Sequence, residues 1–147
     1  MATFKIRYNV SAIPIEINTL SDGVETVSTI NSIIEKTFGG SSERNFGTTA
    51  NNVKTANYNT TASNVDLDTI ISGLPQGLKF IYIKILSQLS TQSPIVILKY
   101  GTTQIAQLEG VGDVCLIPLA AGSPLDYNLS SPTSNQTAQV EILVAGT

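Results

Sequence analysis

Along this chain the clearest signal is alternation of apolar and polar positions at the two-residue period of a β-strand. In "FKIRYNV", Phe4, Ile6, Tyr8 and Val10 fall on one side and Lys5, Arg7 and Asn9 on the other. "IPIEI" repeats the pattern through Ile13, Ile15 and Ile17, and Pro14, which cannot donate to a ladder, favours an edge position. "SDGV" reads as a turn. "VETVSTINSIIEKTF" fits two periods: Val24, Val27, Ile30, Ile34 and Phe38 trace a helical stripe, while its β-branched residues favour a strand. We read it as strand. The Gly- and Ser-rich "GGSSERNFGTTANN" reads as a long exposed loop, and "VKTANYNTTA" as a strand with hydroxyls on its outer face. "DLDTIISGLPQG" reads as one helical turn, capped by Asp66 or Asp68 and closed by Gly73 before Pro75.

From Leu78 onward the punctuation is regular. "LKFIYIKIL", "PIVILKY", "TQIAQLE", "DVCLIPL", "LDYNL" and "AQVEILVA" are separated by short turn segments, with "KYGTTQ" a tight hairpin. Parallel strands need crossovers of about a dozen residues or more, and these linkers are shorter. The C-terminal half is therefore expected to be an antiparallel meander or Greek key. The whole chain reads as all-β, an antiparallel β-sandwich of jelly-roll-like or Greek-key type. Residues 1–147 form one domain in this reading, with 1–50 as an extended N-terminal arm and loop region.

Several of these strands are apolar on both faces. Ile81, Ile83 and Ile85 alternate with Leu78, Phe80, Tyr82 and Leu86, with Lys84 the polar exception on the second side. Ile95 and Ile97 oppose Val96, Leu98 and Tyr100, and Val114 and Leu116 oppose Cys115, Ile117 and Leu119. An antiparallel sheet usually wets one face. A second apolar face needs cover, either from the chain's own loops or, as we expect, from a neighbouring subunit. The candidate interface residues are Phe80, Tyr82, Leu98 and Tyr100. Lys5 and Arg7, on the polar face of the first strand, would meet a neighbour through that strand.

Composition narrows the partners. Only 13% of the chain is charged, against about 25% in ordinary soluble domains, and Ser, Thr and Asn take up the difference. A net charge of -3 with scattered basic residues argues against nucleic acid or an anionic membrane. The opening "MATFKIRYNV" lacks the apolar core of a signal peptide. The longest apolar run, 78–86, is broken by Lys79 and Lys84 and falls short of the roughly 20 residues of a spanning helix. Cys115, the sole cysteine, excludes an intrachain disulfide and sits in an apolar strand, where a buried structural thiol is expected.

Candidate chemistry is sparse. With no His, Ser-His-Asp and Cys-His arrangements are excluded. "FGGSS" and "EGVGD" lack the lysine of a phosphate loop and read as glycine turns. Asn64, Asp66 and Asp68 would share one face of a strand and could hold a hard cation, but a solvated edge or helix cap explains them more simply. Glu16, Glu109, Asp113, Asp126 and Glu141 offer no spacing that selects a catalytic pair, and no Trp is present to stack a sugar. A sugar-binding module would need Tyr8, Tyr58, Tyr82, Tyr100 or Tyr127 as its platform. The sequons at Asn9, Asn59, Asn128 and Asn135 are expected to stay unmodified. No enzyme activity, cofactor or metal is expected.

"YNTTASNVDLDTIISGLPQGLKFIYIKILS", "KYGTTQIAQLEGVGDVCLIPLAAG" and "AQVEILVAGT" together resemble small β-sandwich virion proteins of tailed bacteriophages, over roughly residues 55–147. The resemblance lies in strand rhythm and composition. It implies a capsid decoration or cement protein, a homo-oligomer (often a trimer) that contacts the major capsid protein. A neck or tail component is the alternative. Such a protein is made in the host cytoplasm and resides on the virion.

Overall fold

A computed structural model describes residues 3–12, 15–19, 21–29, 38–49, 52–122 and 126–147. It divides the chain into two compact units, Lys5–Asn45 and the remainder, Met1–Phe4 with Phe46–Thr147.

The smaller unit holds two antiparallel ribbons. The alternating run expected as a strand is β1 (Lys5–Ala12). β2 (Ile15–Thr19) and β3 (Glu25–Thr29) pair with each other across the Asp22–Gly23 turn, where the Val24 N–H donates to Asp22 Oδ1 at 3.0 Å. Pro14 and the Ile30–Thr37 portion of the two-period segment lie outside the described residues. β4 (Phe38–Asn45) corrects the reading of "GGSSERN" as loop, since it pairs with β1 from Lys5↔Asn45 to Ala12↔Phe38. Gly and Ser give β4 no hydrophobic period, so only the partner strand reveals it. The first of its two glycines has a steric reason: a Cβ at Gly39 would lie 2.1 Å from the Val10 carbonyl oxygen.

In the larger unit the strands are β5 (Val53–Asn59), β6 (Val65–Asp66), β7 (Leu78–Gln88), β8 (Ile95–Tyr100), β9 (Thr103–Glu109), β10 (Val114–Gly122), β11 (Tyr127–Ser130) and β12 (Ala138–Gly146). The expected helical turn is α1 (Leu67–Ile70); Asp66 holds its N-cap position but makes no side-chain capping hydrogen bond, and Asp68 lies within the first turn, so the expected aspartate cap is not formed. One four-stranded sheet, sheet I, has the order β10-β7-β12-β5, and the other, sheet II, the order β6-β11-β8-β9. All pairings are antiparallel. The chain passes between sheets at nearly every connection. Among the described residues of this unit, β8–β9 is the one hairpin of consecutive strands, turning through Gly101 (φ 56) and Thr102. This is the double Greek-key order of a jelly roll, not a meander. Short linkers exclude parallel crossovers, yet they serve equally for a hairpin or for an arch to the facing sheet about 10 Å away.

The inward faces make a single core. Ile81, Ile83 and Ile85 of β7 meet Val140, Ile142 and Val144 of β12, and facing them are Val96, Leu98, Leu108 and Leu129 of sheet II, with Leu67 of α1. Each is buried, so each contributes about 1.5–3 kcal/mol of apolar burial. Leu78 departs from the expected parity. The β7–β12 register jumps from Ala145↔Phe80 to Gly146↔Leu78, so a bulge at Lys79 turns Leu78 into the core with the isoleucines. At the edge of the core, buried hydroxyls replace hydrocarbon. Thr60 Oγ1 lies 2.7 Å from Ser131 Oγ and accepts the Ala138 N–H at 3.0 Å.

Candidate functional site

The outer face of sheet I has two characters, set by register. One row crosses Val114, Lys84, Glu141 and Asn57, and the next crosses Leu116, Tyr82, Leu143 and Thr55. Beyond these lies Pro118, Phe80, Ala145 and Val53. In the middle row, Leu116, Tyr82 and Leu143 are half-buried, while Val114 in the first row is 51% exposed. An apolar band thus crosses the sheet with incomplete cover. Beside it, Thr55, Asn57, Tyr82, Glu141 and Leu143 line an open depression of about 470 Å³. The Tyr82 hydroxyl donates to Glu141 Oε1 at 2.9 Å. Burial, together with the neighbouring carboxylate, raises the Tyr82 hydroxyl above its ordinary pKa, so it remains a neutral donor at physiological pH.

Of the residues that sequence singled out, Tyr82 belongs to this surface. Phe80 is 1% exposed and Leu98 is 2% exposed, so both are already covered within the chain. Leu98 lies in the sandwich core and Phe80 outside it. Their shared assignment to an outer face fails because the two strands carry opposite parity. Tyr100 is exposed at the end of β8 and leans on buried Tyr127, ring centroids 5.1 Å apart and planes tilted by 59°. Lys5 and Arg7 project from β1 and both contact Glu43 of β4, at 2.9 and 3.5 Å. Those two cations hold the Glu43 carboxyl below its ordinary pKa. Sequence reading missed Leu143, Thr55 and Asn57. Leu143 was legible, in that "VEILVA" is apolar at consecutive positions, but Thr55 and Asn57 carry no signal until β5 is registered on β12.

The remaining candidates resolve differently. Asn64, Asp66 and Asp68 do not alternate along a strand, because β6 ends at Asp66 and α1 begins at Leu67. Asn64 Oδ1 accepts from Lys99 Nζ at 2.9 Å, so an ammonium already meets one of the proposed oxygens. Among the described residues no cluster of His, Cys, Asp and Glu is placed to hold a metal. Asn128 is buried and donates to the Gly101 carbonyl at 3.1 Å, which takes its sequon out of reach. Asn9, Asn59 and Asn135 are exposed. As sugar platforms, Tyr127 is buried and Tyr58 packs against the core. "EGVGD" is a glycine turn as expected, with Gly110 and Gly112 at positive φ and the Glu109 N–H bonded to Asp113 Oδ2 at 2.8 Å. Cys115 is half-buried against the core, and burial pushes its thiol up. Among the described residues no helix is long and apolar enough to cross a membrane.

The fold is an all-β jelly-roll sandwich, and the outer face of its sheet I carries a partly covered apolar band. Comparison with protein-family models, curated proteins and solved structures finds no match.

Proposed function

We propose that this chain is a structural protein of a tailed-phage virion, a decoration or cement protein that bridges shell subunits and stabilises the assembled lattice. The observation that carries the reading is the Leu116–Tyr82–Leu143 band on the outside of sheet I, apolar and incompletely covered by its own chain. Covering such a band removes apolar surface from water at about 25 cal/mol per Å². A protein that binds the assembled lattice and not its free subunits shifts the equilibrium toward assembly. Two further considerations support the reading. The resemblance over residues 55–147 falls inside the larger unit, and double-sheet jelly rolls recur among viral capsid domains, although fold analogy alone does not assign function. The same band would serve a neck or tail component, which differs in address and not in mechanism.

Gradient fractionation of a lysate containing the chain tests this. The chain should band with intact particles in many copies and follow heads after disruption. Recovery with tails would move it to the alternative address, and recovery only in the soluble fraction would overturn the reading.

A further inference from the structure

The edges of the two sheets are unequally protected. In sheet II, β6 is only Val65–Asp66, and β9 carries a bulge where its register steps from Ala106↔Leu98 to Gln104↔Lys99. In sheet I, β10 contains Pro118, and its pairing shifts between Pro118 and Gly122. Short strands, bulges, prolines and edge lysines are among the devices that keep sheet edges from pairing with other chains. β5 is neither short nor bulged, and its one such device is Lys54, on the same parity as Ala56 and Tyr58. It runs Val53–Asn59 without Pro or Gly, and it pairs with β12 without a register break from Gln139↔Asn59 to Ala145↔Val53. Among the described residues no strand pairs with its other side.

Its sequence is self-complementary in one arrangement. Antiparallel pairing of β5 with itself about Ala56 sets Val53 opposite Asn59, Lys54 opposite Tyr58 and Thr55 opposite Asn57 of the second copy. The only charge in the strand, Lys54, then meets an aromatic ring, a favourable contact for an ammonium. A register centred on Lys54, or a parallel in-register pairing, would set Lys54 against itself, which is unfavourable. The lysine therefore disfavours those two arrangements, and the register about Ala56 turns it into a contact. Thr55 and Asn57 are exposed on the outer face, and Ala56 at the centre is small.

We propose that β5 is a dimerisation edge, pairing with β5 of a second copy of this chain about a two-fold axis through Ala56, so that sheet I runs continuously through both copies. This is isologous strand addition. It deepens the structural reading by naming a partner, and it rests on that reading only for the premise that the chain works assembled.

Sedimentation of the purified full chain over a broad dilution series, with two charge variants, tests the register. T55K/N57K sets like charges opposite each other at both symmetry-related positions and should raise the dimer dissociation constant by about tenfold or more. T55K/N57E sets opposite charges across the same positions and should return dimerisation to at least the wild-type level. Far-UV circular dichroism checks that each variant folds. As a second measurement, A56C in a C115S background should form a disulfide-linked dimer on mild oxidation, since opposed strand positions lie about 4.5–5.5 Å apart. Assembly unchanged by T55K/N57K, with no crosslink through A56C, would overturn the edge and leave the assembly reading standing. A wild-type monomer throughout would overturn both.

Discussion

Ile142 and Leu143 are adjacent on β12 and lose the same number of carbons on truncation to Ala, so the pair isolates environment from chemistry. Ile142 is 1% exposed and lies in register between Ile83 and Ala56. At about 0.8 kcal/mol per carbon, three lost carbons cost about 2.4 kcal/mol in transfer free energy. Incomplete collapse of the space left behind raises Ile142→Ala to about 3–4 kcal/mol, within the usual range for such truncations. Leu143 faces outward and is only partly buried, so Leu143→Ala loses part of the transfer free energy and leaves no enclosed cavity, about 1.5–2 kcal/mol. Urea unfolding followed by far-UV circular dichroism measures both, and with a slope of about 2 kcal/mol/M the midpoints should fall by about 1.5–2 M and about 0.75–1 M. In the assembled state the order of importance reverses: Leu143→Ala should weaken association while leaving the fold intact. Equal destabilisation by the two changes would refute the assignment of inside and outside on β12.

Thr60→Val keeps the shape but strips Ser131 Oγ and the Ala138 N–H of a buried partner; thermal or urea unfolding should show a loss of about 1–3 kcal/mol. Native Cys115, half-buried and with its thiol pushed up by burial, should react with a thiol reagent at least about tenfold more slowly than in the urea-unfolded chain, and equal rates would contradict its placement. Glu43 is held below the ordinary carboxylate range by Lys5 and then Arg7. Its contribution to the β1–β4 ribbon is therefore present above the ordinary carboxylate pKa and lost as pH falls through the depressed value. NMR titration should place the Glu43 midpoint below that of a free glutamate, and amide-exchange protection factors along β1, taken relative to the intrinsic rate at each pH, should fall in acid for wild type but not for Glu43→Gln.

What the sequence made legible follows from where periodicity survives. β1, β7, β8 and β12 carry alternating or two-faced apolar runs, and their existence and antiparallel character could be read directly. β4 could not, because Phe38–Asn45 is Gly and Ser over much of its length and becomes a strand through pairing with β1. Sheet membership was also hidden. Linkers such as "TQSP" and "AAGSP" set the distance between strands but not which sheet receives the next one. The candidate surface suffered from parity. Alternation assigns Phe80 and Tyr82 to one side, and they do share the outer face in register. It cannot say that Phe80 is covered there while Tyr82 stays partly open. The bulge at Lys79 likewise reversed Leu78 without leaving a mark in the pattern. Leu143, Thr55 and Asn57 came together only through the β7–β12–β5 register.

The claim beneath all of this is that the outside of sheet I exists to be covered by other polypeptide. Hydroxyl-radical footprinting of Leu116, Tyr82 and Leu143 compares the dilute free chain with the same chain in purified particles. We predict that oxidation at all three drops in the particle while exposed Val111 continues to react. Unchanged oxidation of the three side chains would mean that the band stays wet in the assembled state, and the claim would be wrong.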